Sequence, residues 1–168
     1  MAEQGLEFDP IAEARRQWVA HGWHDAADGM AVLTSIIRVE QLLMSRVEAQ
    51  LRPLGLTFAR YELLVLLSFS RRGALPLGKI GARLQVHPAS VTNAVDRLER
   101  DGLVARVPHP EDGRTTLATI TPDGRRLVQR ATTTLNEQVF ADLGWDPDEL
   151  DAMFESLRRF RAAAGDVA

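Results

Sequence analysis

Residues 75–121 read LPLGKIGARLQVHPASVTNAVDRLERDGLVARVPHPEDGRTTLATIT, and this stretch decides the fold. A first helix follows Pro76, which suits an N1 position because its missing N–H would be unpaired there. That helix carries Leu77, Ile80 and Leu84 on one face. Gln85-Val86-His87 breaks it, and Pro88 opens a second. From Pro88 to Asp101, the apolar residues Val91, Ala94, Val95 and Leu98 fall at i, i+3, i+4 and i+7, a single inward stripe. Ala89, Ser90, Asn93, Asp96, Arg97 and Arg100 take the opposite face. Gly102 tolerates the left-handed conformation that stops a helix, and Leu103 to Val107 then reads as a short strand. Pro108-His109-Pro110-Glu111-Asp112-Gly113-Arg114 is a turn between two strand-like runs. Helix, turn, helix and a two-stranded ribbon is the order of a winged helix-turn-helix.

The outward side chains fit that order chemically. Asn93 can pair bidentately with adenine and Arg97 with guanine, in a major groove that the N-terminal turn, Pro88, Ala89 and Ser90, would enter first. Ser90 and Thr92 suit base edges or neighbouring phosphates. Arg114, at the tip of the ribbon, can enter a minor groove, where negative potential attracts a guanidinium. Asp112 would repel phosphate and is better suited to orienting Arg114 or capping the turn. Lys79 and Arg83 on the first helix are candidates for backbone contacts. Taken alone, the second helix also reads as an ordinary solvated amphipathic helix, and it is the neighbouring ribbon that favours duplex DNA. A winged helix serving as a protein-interaction module without DNA is the alternative.

The run from Leu84 to Val104 resembles the recognition helix of MarR-type bacterial transcription regulators. Asp112-Gly113-Arg114, followed by Ile120-Thr121-Pro122-Asp123-Gly124, resembles their wing signature, with Ile120 in place of the usual Leu. The resemblance covers roughly residues 29 to 162. It implies a homodimeric, ligand-responsive regulator in which the terminal helices of two subunits interlock and set two recognition helices about one DNA turn apart on a pseudo-palindrome.

Charge distribution agrees. The net charge of −3 divides unevenly: residues 71–130 hold 11 Lys and Arg against 6 Asp and Glu, or +5, leaving 9 against 17, or −8, for the remainder. Positive charge thus collects where phosphate would lie. The absence of cysteine excludes disulfides, thiolate metal sites and a cysteine redox sensor. No run approaches a membrane span and the start Met1-Ala2-Glu3-Gln4 is polar, so a soluble cytoplasmic protein is expected. No nucleophile–His–acid arrangement, phosphate-cradling Gly loop or dinucleotide fingerprint is present, and neither an enzyme nor a cofactor is expected.

At 168 residues the chain fits one domain. The expected class is mainly α with a small β-hairpin wing. It divides into N-terminal helices (10–52), the winged module (57–121) and C-terminal helices (122–163), the outer two serving dimerisation. Asp9-Pro10 caps a first helix with Ile11, Ala14 and Trp18. A long helix from about Gly29 to Arg52 carries Leu33, Ile36, Ile37, Leu43, Val47 and Leu51, a stripe wide enough to pack on two sides. Phe58 to Phe69 is apolar almost all round. Thr121-Pro122 restarts helix, and Asp146-Pro147-Asp148-Glu149 resembles a capping box before Leu150, Met153, Phe154, Leu157 and Phe160. A small aromatic or anionic effector would meet Trp18, Trp23, Arg38 and Tyr61, although core anchoring also explains the tryptophans. The Trp-bearing N-terminal helix resembles the urate-responsive branch of the family, but Arg60-Tyr61-Glu62 stands where that branch places an Asp. His21 and His24 are a possible metal pair, and a metal-responsive regulator is a further alternative.

Overall fold

The computed structural model describes residues 7–167; the polar start Met1-Ala2-Glu3-Gln4 lies outside the described residues. The chain divides into two compact units, one ending at Phe58 and the other beginning at Ala59.

The first unit is a helical hairpin. The Asp9 carboxylate accepts from the Ile11 and Ala12 N–H groups and starts α1, Pro10–Ala20, as its position before Pro10 predicts. Gly22, at φ +83°, reverses the chain into α2, His24–Leu51. This helix begins five residues earlier than the sequence pattern suggests. Arg15 and Asp28 pair across the hairpin at 2.6 Å. Ala27, Val47 and Leu51 are buried, whereas Val32, Leu33, Ile36 and Ile37 of α2 are exposed. A single tight turn, Arg52–Leu54, then ends at Gly55.

The second unit holds α3 (Phe58–Phe69), β1 (Ala74–Pro76), α4 (Leu77–Leu84), α5 (Pro88–Arg100), β2 (Val104–His109), β3 (Asp112–Ile120), α6 (Pro122–Leu135) and α7 (Pro147–Ala163), with a wider π-helical turn over Asn136–Phe140 after α6. Leu63, Leu64 and Leu67 of α3 are buried together with Ile80 of α4, Val91, Val95 and Leu98 of α5, and Val128, Ala131 and Leu135 of α6. Each such Val, Leu or Ile side chain contributes about 1.5–3 kcal/mol relative to exposure, so the inward stripe of α5 is settled by burial rather than by helix propensity.

The ribbon expected to have two strands is a three-stranded antiparallel sheet in the order β1-β3-β2, with Ala74 opposite Thr119 and Pro76 opposite Leu117. Pro76 is therefore not the first residue of α4. It ends an edge strand, where a missing N–H costs no ladder bond, and serves as the N-cap.

The sheet and the end of α5 are locked to α6 by one side chain. Thr121 Oγ1 donates to the Gly102 carbonyl (2.8 Å) and accepts from the Gly124 N–H (3.0 Å). The approach is close enough to require glycine at 124: a Cβ there would overlap the Leu103 carbonyl oxygen and sit 2.9 Å from Ile120 Cγ1. Gly102 itself adopts φ +70°, which ends α5 as its sequence position predicts.

Candidate nucleic-acid interface

The recognition helix is started by a cap that pattern reading passed over. His87 Nδ1 accepts from the Ala89 N–H at 3.2 Å, so the residue before Pro88 does the work usually given to Ser or Asp. A polar residue immediately before a helix-opening proline was the available signal. Pro88, Ala89, Ser90, Thr92, Asn93 and Arg97 are all exposed on α5, and Lys79 and Arg83 are exposed on α4. Among the described residues, the Asn93 amide and the Arg97 guanidinium have no intramolecular partner and are free to meet a ligand. Thr92 differs, because its hydroxyl donates to the Pro88 carbonyl at 3.1 Å and keeps only its acceptor lone pairs for other groups.

Two outward acids of α5 are spoken for. Arg106 on β2 sends Nη1 to Glu99 Oε2 and Nη2 to Asp96 Oδ1, both at 2.5 Å, and its backbone N–H to Glu99 Oε1 at 3.0 Å. This clasp was missed from sequence; the signal was a lone cation in a strand ten residues after one acid and seven after another. It offsets one of the two negative charges on the face that would meet DNA and ties the strand to the helix. Arg60 of α3 adds a longer pairing to Asp101, at 3.5 Å, beyond the end of α5.

The wing corrects the sequence reading in one respect. The turn is Pro110-Glu111, and Arg114 lies beyond it. Pro108 faces Thr116 while His109 faces Asp112, so residues 113–115 bulge out of the ladder on the returning strand. Arg114 is exposed on that bulge. Asp112 does not grip the guanidinium; its Oδ1 accepts from the Arg114 backbone N–H (3.0 Å) and its Oδ2 from Thr115 Oγ1 (2.6 Å). These bonds, the Thr115 hydroxyl first, hold its carboxyl below the usual aspartate range. Of its two proposed roles the geometry shows the cap.

The proposed effector residues do not share one unit. In the first, Trp18 and Trp23 meet edge to face with ring centroids 5.2 Å apart, Trp23 stacks on His21, and Arg38 reaches Gln41 at 3.3 Å. In the second, Tyr61 is buried and shares a hydrogen bond with Thr132 at 3.1 Å. Its neighbour Glu62 is partly buried, and loss of solvent pushes its carboxyl up. His21 Nδ1 donates to the Gln17 carbonyl at 2.8 Å, and among the described residues no group of three or more His, Asp or Glu is placed to hold a metal. No described helix is long and apolar enough to cross a membrane.

A helix with an exposed polar face clasped to a wing that presents an exposed arginine defines the chain as a winged helix-turn-helix protein. Comparison with known proteins narrows the class. The MarR family model matches residues 57–116. Sco5413, a MarR family transcriptional regulator from Streptomyces coelicolor, is 54% identical, superposes with a TM-score of 0.76, and is matched over 83% of this chain and 96% of its own. The HTH-type transcriptional repressor Rv2887 of Mycobacterium tuberculosis is 35% identical over 96 residues, 57% of this chain and 68% of the relative. Sco3205, also a MarR family regulator from S. coelicolor and solved in complex with DNA, is 26% identical with a TM-score of 0.73, over 82% of this chain and 88% of its own. The chain belongs to the MarR family of DNA-binding transcriptional regulators.

Reading and holding should fail differently. Arg97→Ala is expected to cost about 1–3 kcal/mol on a cognate site and little on random duplex. Arg114→Ala should weaken binding to many sequences and make the slope of log affinity against log salt shallower by about one unit. Titrations on specific and random duplexes over a salt series check both, and loss of discrimination from Arg114→Ala alone would reverse the assignments.

The clasp predicts a pH dependence. The Arg106 backbone N–H, and then its guanidinium, hold the Glu99 carboxyl below its ordinary 4.5. Its folded value thus lies below its unfolded one. The stabilisation is complete above the ordinary value and lost as pH falls through the folded value. Arg106→Ala removes the guanidinium but keeps the backbone N–H, so it should lower Tm at neutral pH by the side-chain part of the clasp, with the gap to wild type narrowing as pH falls below the ordinary carboxylate range. A gap that stays constant in thermal melts across that range would show that the clasp does not form in solution.

Proposed function

We propose that this regulator works as a homodimer on a pseudo-palindromic operator, acts as a repressor, and is released by a small aromatic or anionic effector. One observation carries the dimer. Leu150, Met153, Phe154, Leu157 and Phe160 form one face of α7 and are all exposed, Phe154 at 60% and Phe160 at 75%. An apolar face of that length marks an interaction surface, and α2 offers a second at Val32, Leu33, Ile36 and Ile37. A symmetric dimer also supplies what a single reading head lacks, a second recognition helix at fixed spacing. The capping box at Asp146 and Glu149, with both reciprocal bonds formed at 2.9 and 3.0 Å, starts α7 firmly enough to present that face.

Repression is supported by the name of the M. tuberculosis relative. An effector is supported by CouR from Rhodococcus jostii RHA1, 26% identical with a TM-score of 0.68 and bound to p-coumaroyl-CoA. The Trp18–Trp23 pair is the feature of this chain best suited to an aromatic ligand, since Trp23 is exposed and its partner ring fixes its orientation. An effector that favours the DNA-free geometry weakens DNA binding, and by linkage DNA weakens effector binding by the same factor.

Two measurements test this reading. Phe154→Glu with Phe160→Glu should convert the dimer to monomer in sedimentation and cost at least tenfold in operator affinity, since a lone head keeps half the contacts. A double variant that stays dimeric at the wild-type concentration would remove α7 from the interface. For the effector, aromatic acids should quench Trp fluorescence and release DNA over one concentration range; release that persists unchanged in the Trp18→Phe, Trp23→Phe protein would place the site elsewhere.

A further inference from the structure

The C-terminal end of α7 is turned back and tied to the elbow between α4 and α5. Gly165, at φ +75°, reverses the chain, and the Asp166 N–H closes on the Arg161 carbonyl at 2.9 Å. That turn aims Asp166 at Gln85: Gln85 Nε2 donates to Asp166 Oδ1 at 2.6 Å and lies 3.2 Å from the Asp166 backbone oxygen. The second carboxylate oxygen faces Arg161 Nη1 at 3.9 Å. Gln85 is itself unusual. It is the C-cap of α4 and the one non-glycine among the described residues with positive φ, +54°. A side chain persists in that conformation when its surroundings hold it there. The backbone closes the elbow, the Val86 N–H donating to the Gly81 carbonyl at 3.1 Å, and an open groove of about 360 Å³ bordered by Gly78, Gly81, Ala82 and Val86 runs beside it. The tie to Asp166 adds a side-chain contact that holds Gln85 from outside the elbow.

We propose that Gln85 and Asp166 form a latch that fastens the end of α7 to the helix-turn-helix elbow, so that α7 and the element aiming the recognition helix move together. The residues concerned lie outside the reading face and outside the apolar face of α7. If α7 is the dimer helix, the latch connects the interface to the reading head; that clause rests on the dimer reading, whereas the latch does not.

The test is hydrogen exchange and operator binding on the full chain, in wild type, Gln85→Glu, Asp166→Asn and the double variant. Gln85→Glu sets two carboxylates against each other and should open the latch. Exchange at the Asp166 and Val86 amides then rises about tenfold, and operator affinity falls about fivefold. Asp166→Asn keeps an acceptor for Gln85 and should leave both readouts near wild type. The double variant puts the carboxylate at 85 and the amide at 166, with the bond and the net charge of the pair both restored, and should recover both readouts.

Unchanged exchange in Gln85→Glu, or no recovery in the double variant, overturns the latch. Exchange that responds while operator affinity does not overturns the coupling. Asp166→Asn that shifts affinity as much as Gln85→Glu would mean that the carboxylate acts on DNA only as a charge. Exchange is read without DNA and irrespective of oligomeric state, so it stands even if dimerisation fails.

Discussion

Arg106 places one guanidinium on two carboxylates a turn apart on the recognition helix, Asp96 and Glu99, while its backbone N–H binds Glu99 as well. The proposed reading head depends on this clasp because the two parts assigned to DNA belong to different elements. A helix can be aimed into a major groove, and a wing into a neighbouring minor groove, only if the angle between them is fixed beforehand. The burial of Val91, Val95 and Leu98 sets the rotation of α5 about its axis, and that of Val104 and Ala118 seats the sheet, while the outer part of β2 is tied to α5 by Arg106. A fork of donors with carboxylates on both prongs directs that tie, since the bidentate geometry of arginine specifies direction as well as distance. Thr121 does the complementary work at the other end, joining the Gly102 carbonyl at the foot of α5 to the first turn of α6.

The clasp also eases an electrostatic difficulty. A recognition helix with Asp96 and Glu99 on its outer side would repel the phosphates it approaches, and the chain as a whole carries net negative charge. Sharing Arg106 between both acids offsets one of their two negative charges within the protein and leaves the Asn93 and Arg97 side chains unpaired on the outer side. The same economy holds in the wing, where Asp112 is occupied by the Thr115 hydroxyl and the Arg114 N–H, and the Arg114 side chain remains exposed.

Much of this was legible because it is local. The stripe at Val91, Ala94, Val95 and Leu98, the stop at Gly102, the cap at Asp9 and the capping box at Asp146 each follow from residues within one or two turns of one another. The face of α5 turned away from the core follows from the same periodicity. What escaped notice depends on partners distant in sequence. β1 is three residues long and is a strand only because β3 lies beside it, some forty positions later. The wing bulge arises from a register shift that requires both strands. The structural roles of Asp96 and Glu99 exist only because Arg106 is brought against them. Tyr61 and Thr132, 71 residues apart, show the same limit at a proposed effector residue.

The account's central claim is that a rigid helix-and-wing head reads DNA in adjacent grooves and is presented twice by a symmetric dimer. Selection of bound duplexes from a random pool, followed by hydroxyl-radical footprinting of the selected site, tests it most directly. The prediction is an inverted repeat with half-site centres about 10 base pairs apart or a multiple of that, with protected minor-groove sugars flanking each half-site where Arg114 lies. A single asymmetric site, or protection confined to the major-groove contacts, would contradict it.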